Sequence, residues 1–176
     1  MSFSNPEPEQ IRQLLCSVRN IAVVGLSPNP SRPSFRVASG LQGLGYRIIP
    51  VRPRHGGAEH SGAGVAASHL LPQSAGSTSN VSEVQPMVNE VLGEKAYPDL
   101  ESLPLLPDIV EVFRAPEHVP AIVESCIRLG IRHLWLQEGI VHEEAACRAR
   151  EAGITVVMDR CMWRDASRFG ARPAVS

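Results

Sequence analysis

The sequence predicts an α/β fold: a doubly wound, five-stranded parallel sheet of order 3-2-1-4-5. Three observations carry this. Short β-branched, apolar runs recur at residues 20–26, 46–53, 108–113, 133–137 and 154–158. Segments with apolar residues at helical spacing separate most of them. The run Ile21-Ala22-Val23-Val24 is apolar on both faces, as a strand covered by helices above and below must be. Strands alternating with helices build βαβ units with right-handed crossovers. In such sheets a ligand sits beyond the carboxyl ends of the strands, where strand order reverses. For this order the crevice lies above the first and fourth strands.

The elements follow in turn. Asn5-Pro6-Glu7 reads as a helix start with a capping Asn, and Ile11, Leu14, Leu15 and Val18 continue it over about residues 7–18. The first strand ends at Gly25 in a polar, proline-punctuated loop. Ser34, Val37, Ala38, Leu41 and Leu44 then mark a helix that stops at Gly45. Tyr46–Pro53 is the second strand. From Arg54 to about residue 87, Gly, Ala, Ser and His dominate and periodicity disappears. A structureless stretch of about thirty residues is unusual inside a compact domain. It reads as a mostly disordered insertion in a single domain spanning 1–176.

Order resumes with a surface segment over 90–104, including a helical turn near Leu100. Asp108–Phe113 is the third strand. Val119, Ile122, Val123, Cys126 and Ile127 define the clearest helix, which Gly130 ends. His133–Gln137 is the fourth strand, a helix covers 143–152, and Ile154–Met158 is the fifth strand. The tail from Asp165 carries weak signals and reads as frayed.

Bulk composition narrows the function. The chain has 176 residues, enough for one well-cored domain. A net charge of −1 gives no electrostatic case for nucleic acid or an anionic membrane. With 5% aromatics, a base-stacking surface is not expected either. Cys16, Cys126, Cys147 and Cys161 form no CxxC pair or zinc spacing, so a reducing, cytoplasmic setting is the default. The polar, acidic N-terminus resembles neither a secretory signal nor a transit peptide, and no apolar run approaches spanning length.

The chemistry centres on Ile21–Arg36. A buried strand, a tight turn and a helix N-terminus form an anion site, because backbone N–H groups and the helix dipole converge there. Gly25, Leu26, Ser27 and Ser34 are the candidates for phosphate contact. A dinucleotide fingerprint needs three glycines and an acid after the second strand. Only Gly25 fits, and the second strand ends in Val51-Arg52-Pro53. Arg52 instead suits an extra phosphate, as carried by NADP or coenzyme A. Arg114 follows the third strand and could pair with phosphate or carboxylate. Gln137-Glu138-Gly139 closes the fourth and could line the crevice. Cys161 stands beside Arg160, where a thiol can be activated. No metal-ligand set and no Ser/His/Asp set can be placed. The residues read as a binding domain without evident catalytic machinery.

Seven segments in order then carry a resemblance. They are Ile21–Ser27, Arg32–Ala38, Tyr46–Pro53, Leu92–Pro98, Asp108–Arg114, Trp135–Gly139 and Val157–Cys161. Together they resemble the small stand-alone coenzyme-A-binding proteins. Those are single Rossmann-like domains similar to the N-terminal domain of the succinyl-CoA synthetase α subunit. The resemblance implies that Gly25, Ser27 and Ser34 meet the CoA phosphates and that Pro50–Pro53 lies near the adenosine. It implies a crevice lined by Arg114 and by Gln137 to Gly139. Arg52 stands where the family usually has Asn, and the family lacks the insertion. The expected ligand is coenzyme A or an acyl-CoA, bound without catalysis. The alternatives are a small NADP-dependent or CoA-linked enzyme using Cys161 or Arg114, or a nucleotide-responsive regulator of a protein partner not yet specified.

Overall fold

Pro50 decides the sheet order. The computed structural model describes residues 3–53 and 90–173. The presumed insertion at 54–87 lies outside the described residues. In the structure β1 (Asn20–Val24) pairs in parallel with β2 (Arg47–Val51) on one side and β5 (Ile109–Val112) on the other. Then come β6 (His133–Leu136) and β7 (Thr155–Val157), giving the order β2-β1-β5-β6-β7. All four pairings of this sheet are parallel, as expected. Counting the five sheet strands alone, the order is 2-1-3-4-5, which corrects 3-2-1-4-5. The earlier order would bury β2 between two neighbours. Pro50 has no N–H, and its carbonyl points away from β1 to accept from Tyr97 N–H at 2.9 Å. The missing donor therefore faces the outer edge, where a proline is tolerated. The third strand pairs on the other side of β1.

That outer edge is covered by a segment whose strands the sequence reading missed. β3 (Glu90–Val91) and β4 (Glu94–Lys95) form a small antiparallel ladder. Leu92 and Gly93 turn it with φ of 57° and 76°. Tyr97 then bridges to Val51, and its carbonyl accepts from Arg52 N–H at 2.8 Å.

Helices cover both faces. Under one lie α1 (Pro8–Ser17), α2 (Pro33–Gly43) and α5 (Met162–Arg168). Ile11, Leu15, Val37, Leu41 and Met162 pack there on Ile21, Val23, Ile109 and Trp135. Under the other lie α3 (Val119–Leu129) and α4 (Glu143–Glu151), with Val119, Val123 and Ala146 on Val24, Val110 and Leu134. Each such fully buried Val, Leu, Ile or Met side chain contributes about 1.5–3 kcal/mol. Asp108 fastens the amino ends of β1 and β5: its Oδ2 accepts from the backbone N–H groups of Arg19 (2.9 Å) and Asn20 (2.8 Å).

Two local readings change. Asn5 does not cap α1. Glu7 does, and its N–H donates to Gln10 Oε1 at 2.9 Å, half of a capping box. Asn5 instead continues the sheet edge, exchanging bonds of 2.9 and 2.7 Å with the backbone of Met158. The tail is not frayed at Asp165, because α5 packs on α2 and buries Met162 and Ala166. Asp165 itself is buried and forms a bidentate pair with Arg160 at 2.6 and 2.9 Å. A seven-residue helix has too few turns to show periodicity in sequence.

Candidate ligand site at the carboxyl end of the sheet

With β5 beside β1, the reversal point falls between them, above the first and third sheet strands and not the first and fourth. Gly25 leaves β1 with φ of +89°. Its N–H donates to the Val51 carbonyl at 2.8 Å, while Phe113 N–H donates to the Val24 carbonyl at 2.8 Å. The ends of β2, β1 and β5 are thus locked together around one glycine. A Cβ there would stand 2.8 Å from Phe113 O and 3.1 Å from Arg114 Cδ.

Leu26 then turns inward and is buried, anchoring the loop to the core. Ser34 is also buried, and its Oγ accepts from Ser27 N–H at 3.1 Å. Ser27 Oγ in turn accepts from Asn29 N–H at 3.2 Å, and Asn29 Oδ1 accepts from Ser31 N–H at 2.9 Å. The loop is therefore folded on its own side chains before any ligand arrives. Behind it, α2 starts at Pro33 with no side-chain cap on its amino end. Proline has no N–H, so Ser34 and Phe35 carry the first orphan donors of the helix. An anion at this end gains from those donors and from the dipole.

Arg114 is brought to this loop. Its stem lies beside Gly25, and its Nη2 is 3.0 Å from His118 Nε2. Val51 is buried at the end of β2, with Arg52 and Pro53 half-buried just beyond it. Gln137 is buried one strand farther along, after β6, and its N–H donates to the Val112 carbonyl at 3.3 Å. Gly139 lies apart from these residues. It sits in an exposed turn, its N–H donates to Asp159 Oδ1 at 2.7 Å, and a Cβ there would meet nothing within 4 Å. Cys161 is buried before α5, and none of the four cysteines forms a disulfide.

A cleft of about 840 Å³ opens beside the loop, between α2 and α5. Pro33, Phe35 and Trp163 form its apolar walls, and Gln137 and Cys161 also line it. At its rim Arg164 pairs bidentately with Glu138 at 2.8 and 3.0 Å, which holds the Glu138 carboxyl below the usual range. Trp163 lies over α2 at Gly40, where a Cβ would come within 2.2 Å of its ring.

Glu111 is the site residue that sequence reading missed. It is fully buried in β5, and burial alone pushes its carboxyl up to about 8. With the Gln137 amide nitrogen turned inward, that group donates to Glu111 Oε1 and to the Arg160 carbonyl, both at 3.2 Å. The signal was present: one acid inside the otherwise apolar run Ile109-Val110-Glu111-Val112.

A parallel sheet of this order, with helices on both faces and a glycine turn after β1, is a Rossmann-like α/β domain. The sequence pattern of the family described as CoA binding domain matches residues 19–77 and 64–166. The chain therefore belongs to the CoA-binding domain family. It is 33% identical over 160 residues to the uncharacterized protein YneT of Bacillus subtilis, covering 91% of this chain and 94% of that one. A hypothetical protein from Pyrococcus horikoshii OT3 superposes with a TM-score of 0.71 at 29% identity, covering 96% of this chain and 99% of that chain. The protein called cell-free ID.343 from Thermus thermophilus gives 0.70 at 30% identity, covering 93% and 99%. No helix among the described residues is long and apolar enough to cross a membrane.

Proposed function

We propose that this protein binds coenzyme A or an acyl-CoA across the carboxyl end of its sheet and catalyses no reaction of its own. The observation that carries the reading is the preformed, uncapped β1–α2 loop in a chain of the CoA-binding domain family. In this reading the pyrophosphate lies on the loop at Gly25, Leu26, Ser27 and Ser34. Arg114, beside Gly25, adds the charge that neutralises it. Arg52 takes the 3′-phosphate, and Val51 and Pro53 flank the adenosine. Gln137 and Gly139 follow on the far side. The working unit is one cytoplasmic domain, with residues 54–87 as an insertion.

The end of β2 speaks against NAD, since Val51-Arg52-Pro53 offers no acid to the ribose hydroxyls. The test is thermal unfolding with coenzyme A, acetyl-CoA, NADP, NAD and ATP in parallel. A ligand at about 100 times its dissociation constant adds about 2.7 kcal/mol of stability. The expected result is a shift with coenzyme A and acetyl-CoA that greatly exceeds the other three. A shift with NADP and none with coenzyme A overturns the reading. Turnover of acetyl-CoA to free thiol by the purified protein overturns its non-catalytic part.

A further inference from the structure

Glu111 lies in register between Val23 of β1 and Trp135 of β6, beneath α2 and α5. Among the described residues its Oε2 has no partner, and its Oε1 meets the inward terminus of the Gln137 amide at 3.2 Å. That same terminus meets two neighbours with opposite demands. The Arg160 carbonyl, which already accepts from Trp135 Nε1 at 2.7 Å, can take a second donor there at 3.2 Å, and the Met162 N–H, at 3.4 Å, favours an acceptor. The third group at that terminus is Glu111. An ionised carboxylate accepts from the Gln137 nitrogen and turns the amide oxygen outward. A neutral carboxyl donates to the Gln137 oxygen and turns the NH2 group outward. Gln137 lines the cleft between α2 and α5.

We propose that this cleft is a second subsite, for a chain bearing a carbonyl acceptor such as the thioester of an acyl-pantetheine, and that Glu111 is the positioning residue that turns the Gln137 donor towards it. The inference rests on the coenzyme-A reading and adds a place and a recognition device for the acyl end. Pro30 of the β1–α2 connection and Pro33, the first residue of α2, both line the cleft, so it adjoins the phosphate loop. Phe35, Val37 and Trp163 supply apolar walls for a short acyl group.

Among the described residues, Glu111 is the ionisable side chain that meets the Gln137 amide. On α1, Glu9 pairs with Arg12, and Cys16 is a free thiol. Tyr46, before β2, donates its hydroxyl to the Leu15 carbonyl. On α2, Arg36 lies on the cleft wall and is exposed. Around α5, Arg160 pairs with Asp165, Arg164 with Glu138, and Cys161 is a free thiol. None of these charges contributes to the upward shift of Glu111, whose cause is burial.

The sign follows. Neutral Glu111 presents the donor, so an acyl-CoA binds better below about 8 and loses affinity as pH rises through it. The experiment is calorimetric titration with acetyl-CoA and with 3′-phospho-ADP, which lacks the pantetheine chain, from about pH 6.5 to about pH 9.5. Acetyl-CoA carries no free thiol to titrate. Its affinity should fall about three- to tenfold, the worth of one hydrogen bond, relative to 3′-phospho-ADP over that range. Glu111→Gln keeps a donor towards Gln137, so it should bind acetyl-CoA with no excess fall. A protonated-carboxyl infrared band that is absent in Glu111→Gln should shift on adding acetyl-CoA and not on adding 3′-phospho-ADP. An equal pH response of the two ligands overturns the proposal, as does a Glu111→Gln protein that keeps the excess fall. If Glu111→Gln does not fold, the infrared shift in the parent protein decides, and a band indifferent to acetyl-CoA overturns it. Failure of both ligands to bind sinks the coenzyme-A reading itself, and this inference with it.

Discussion

Gly25 lies against Phe113: a Cβ on Gly25 would stand 2.8 Å from the Phe113 carbonyl oxygen. The oxygen belongs to backbone that leaves β5, so it cannot swing aside as a side chain would. The φ of +89° adds a second penalty for any L side chain. Gly25→Ala should therefore cost about 1–3 kcal/mol of stability and weaken coenzyme A binding, because the loop that follows is displaced. Urea unfolding and calorimetric titration check both. Unchanged stability would show that β1 and β5 do not meet here.

Arg52 supports a sharper prediction than loss of affinity alone. Its backbone is fixed by the Tyr97 carbonyl at 2.8 Å, so the side chain emerges from a pinned strand end. Removing the 3′-phosphate, by using dephospho-CoA, should cost the parent protein about ten- to a hundredfold in affinity, as for a charge-assisted contact. Arg52→Ala should bind both ligands alike. If the variant still prefers coenzyme A by the parent's margin, another group holds that phosphate.

Much of this architecture could be read in advance. The five strands were legible because each is short, apolar and closed by a turn signal. The loop was legible because Gly25 falls where a strand ends. The order of strands was not, since periodicity reports which face is buried and not which neighbour is beside it. Yet Pro50 held the clue: a proline inside a strand places that strand at an edge. Glu111 was passed over because its strand was read as apolar, although a lone acid in a central strand needs an explanation. The β3–β4 turn had no signal of this kind. Leu92 adopts a positive φ that its residue type does not favour.

Gly40 had no sequence explanation within α2, and Trp163 supplies one. The indole occupies the space a side chain would take, with a built Cβ only 2.2 Å from the ring. Trp163 is 40% exposed, so its ring can swing out. Gly40→Ala gains about 1 kcal/mol of helix propensity and loses the contact of the ring with α2. The expected result is a net stability change within about 1 kcal/mol and a red shift of Trp163 emission. Trp135 is wholly buried and should not contribute to that shift. An unaltered spectrum would mean that the ring does not lie on Gly40.

Asp165 should hold α5 in place. Its side chain is 7% exposed and that of Arg160 is 31%, so the bidentate pair is partly shielded from water. The pair also raises the Arg160 guanidinium above its ordinary value. Asp165→Ala strands a cation beside a buried surface and should cost about 1–3 kcal/mol. Asp165→Asn keeps one hydrogen bond and should cost less. Guanidinium unfolding measures both, and equal losses would show that packing of α5, not the pair, sets the stability.

Glu111 gives the fold a pH dependence of known sign. In the unfolded chain its carboxyl ionises near 4.5, while in the fold burial raises it to about 8. Between those values the folded state holds a proton that the unfolded state has lost. Stability from this group is therefore complete below about 4.5 and falls by about 1.4 kcal/mol per pH unit at most. The loss ends as pH passes about 8, where the folded carboxyl also ionises. Glu111→Gln removes the proton exchange without changing the shape of the side chain. It should flatten the decline between about pH 5 and about pH 8 and leave the variant more stable than the parent at the alkaline end. Urea unfolding across that range tests the point. A parent protein whose stability does not decline relative to Glu111→Gln would mean that the carboxyl is ionised inside the fold, with a compensating partner for Oε2.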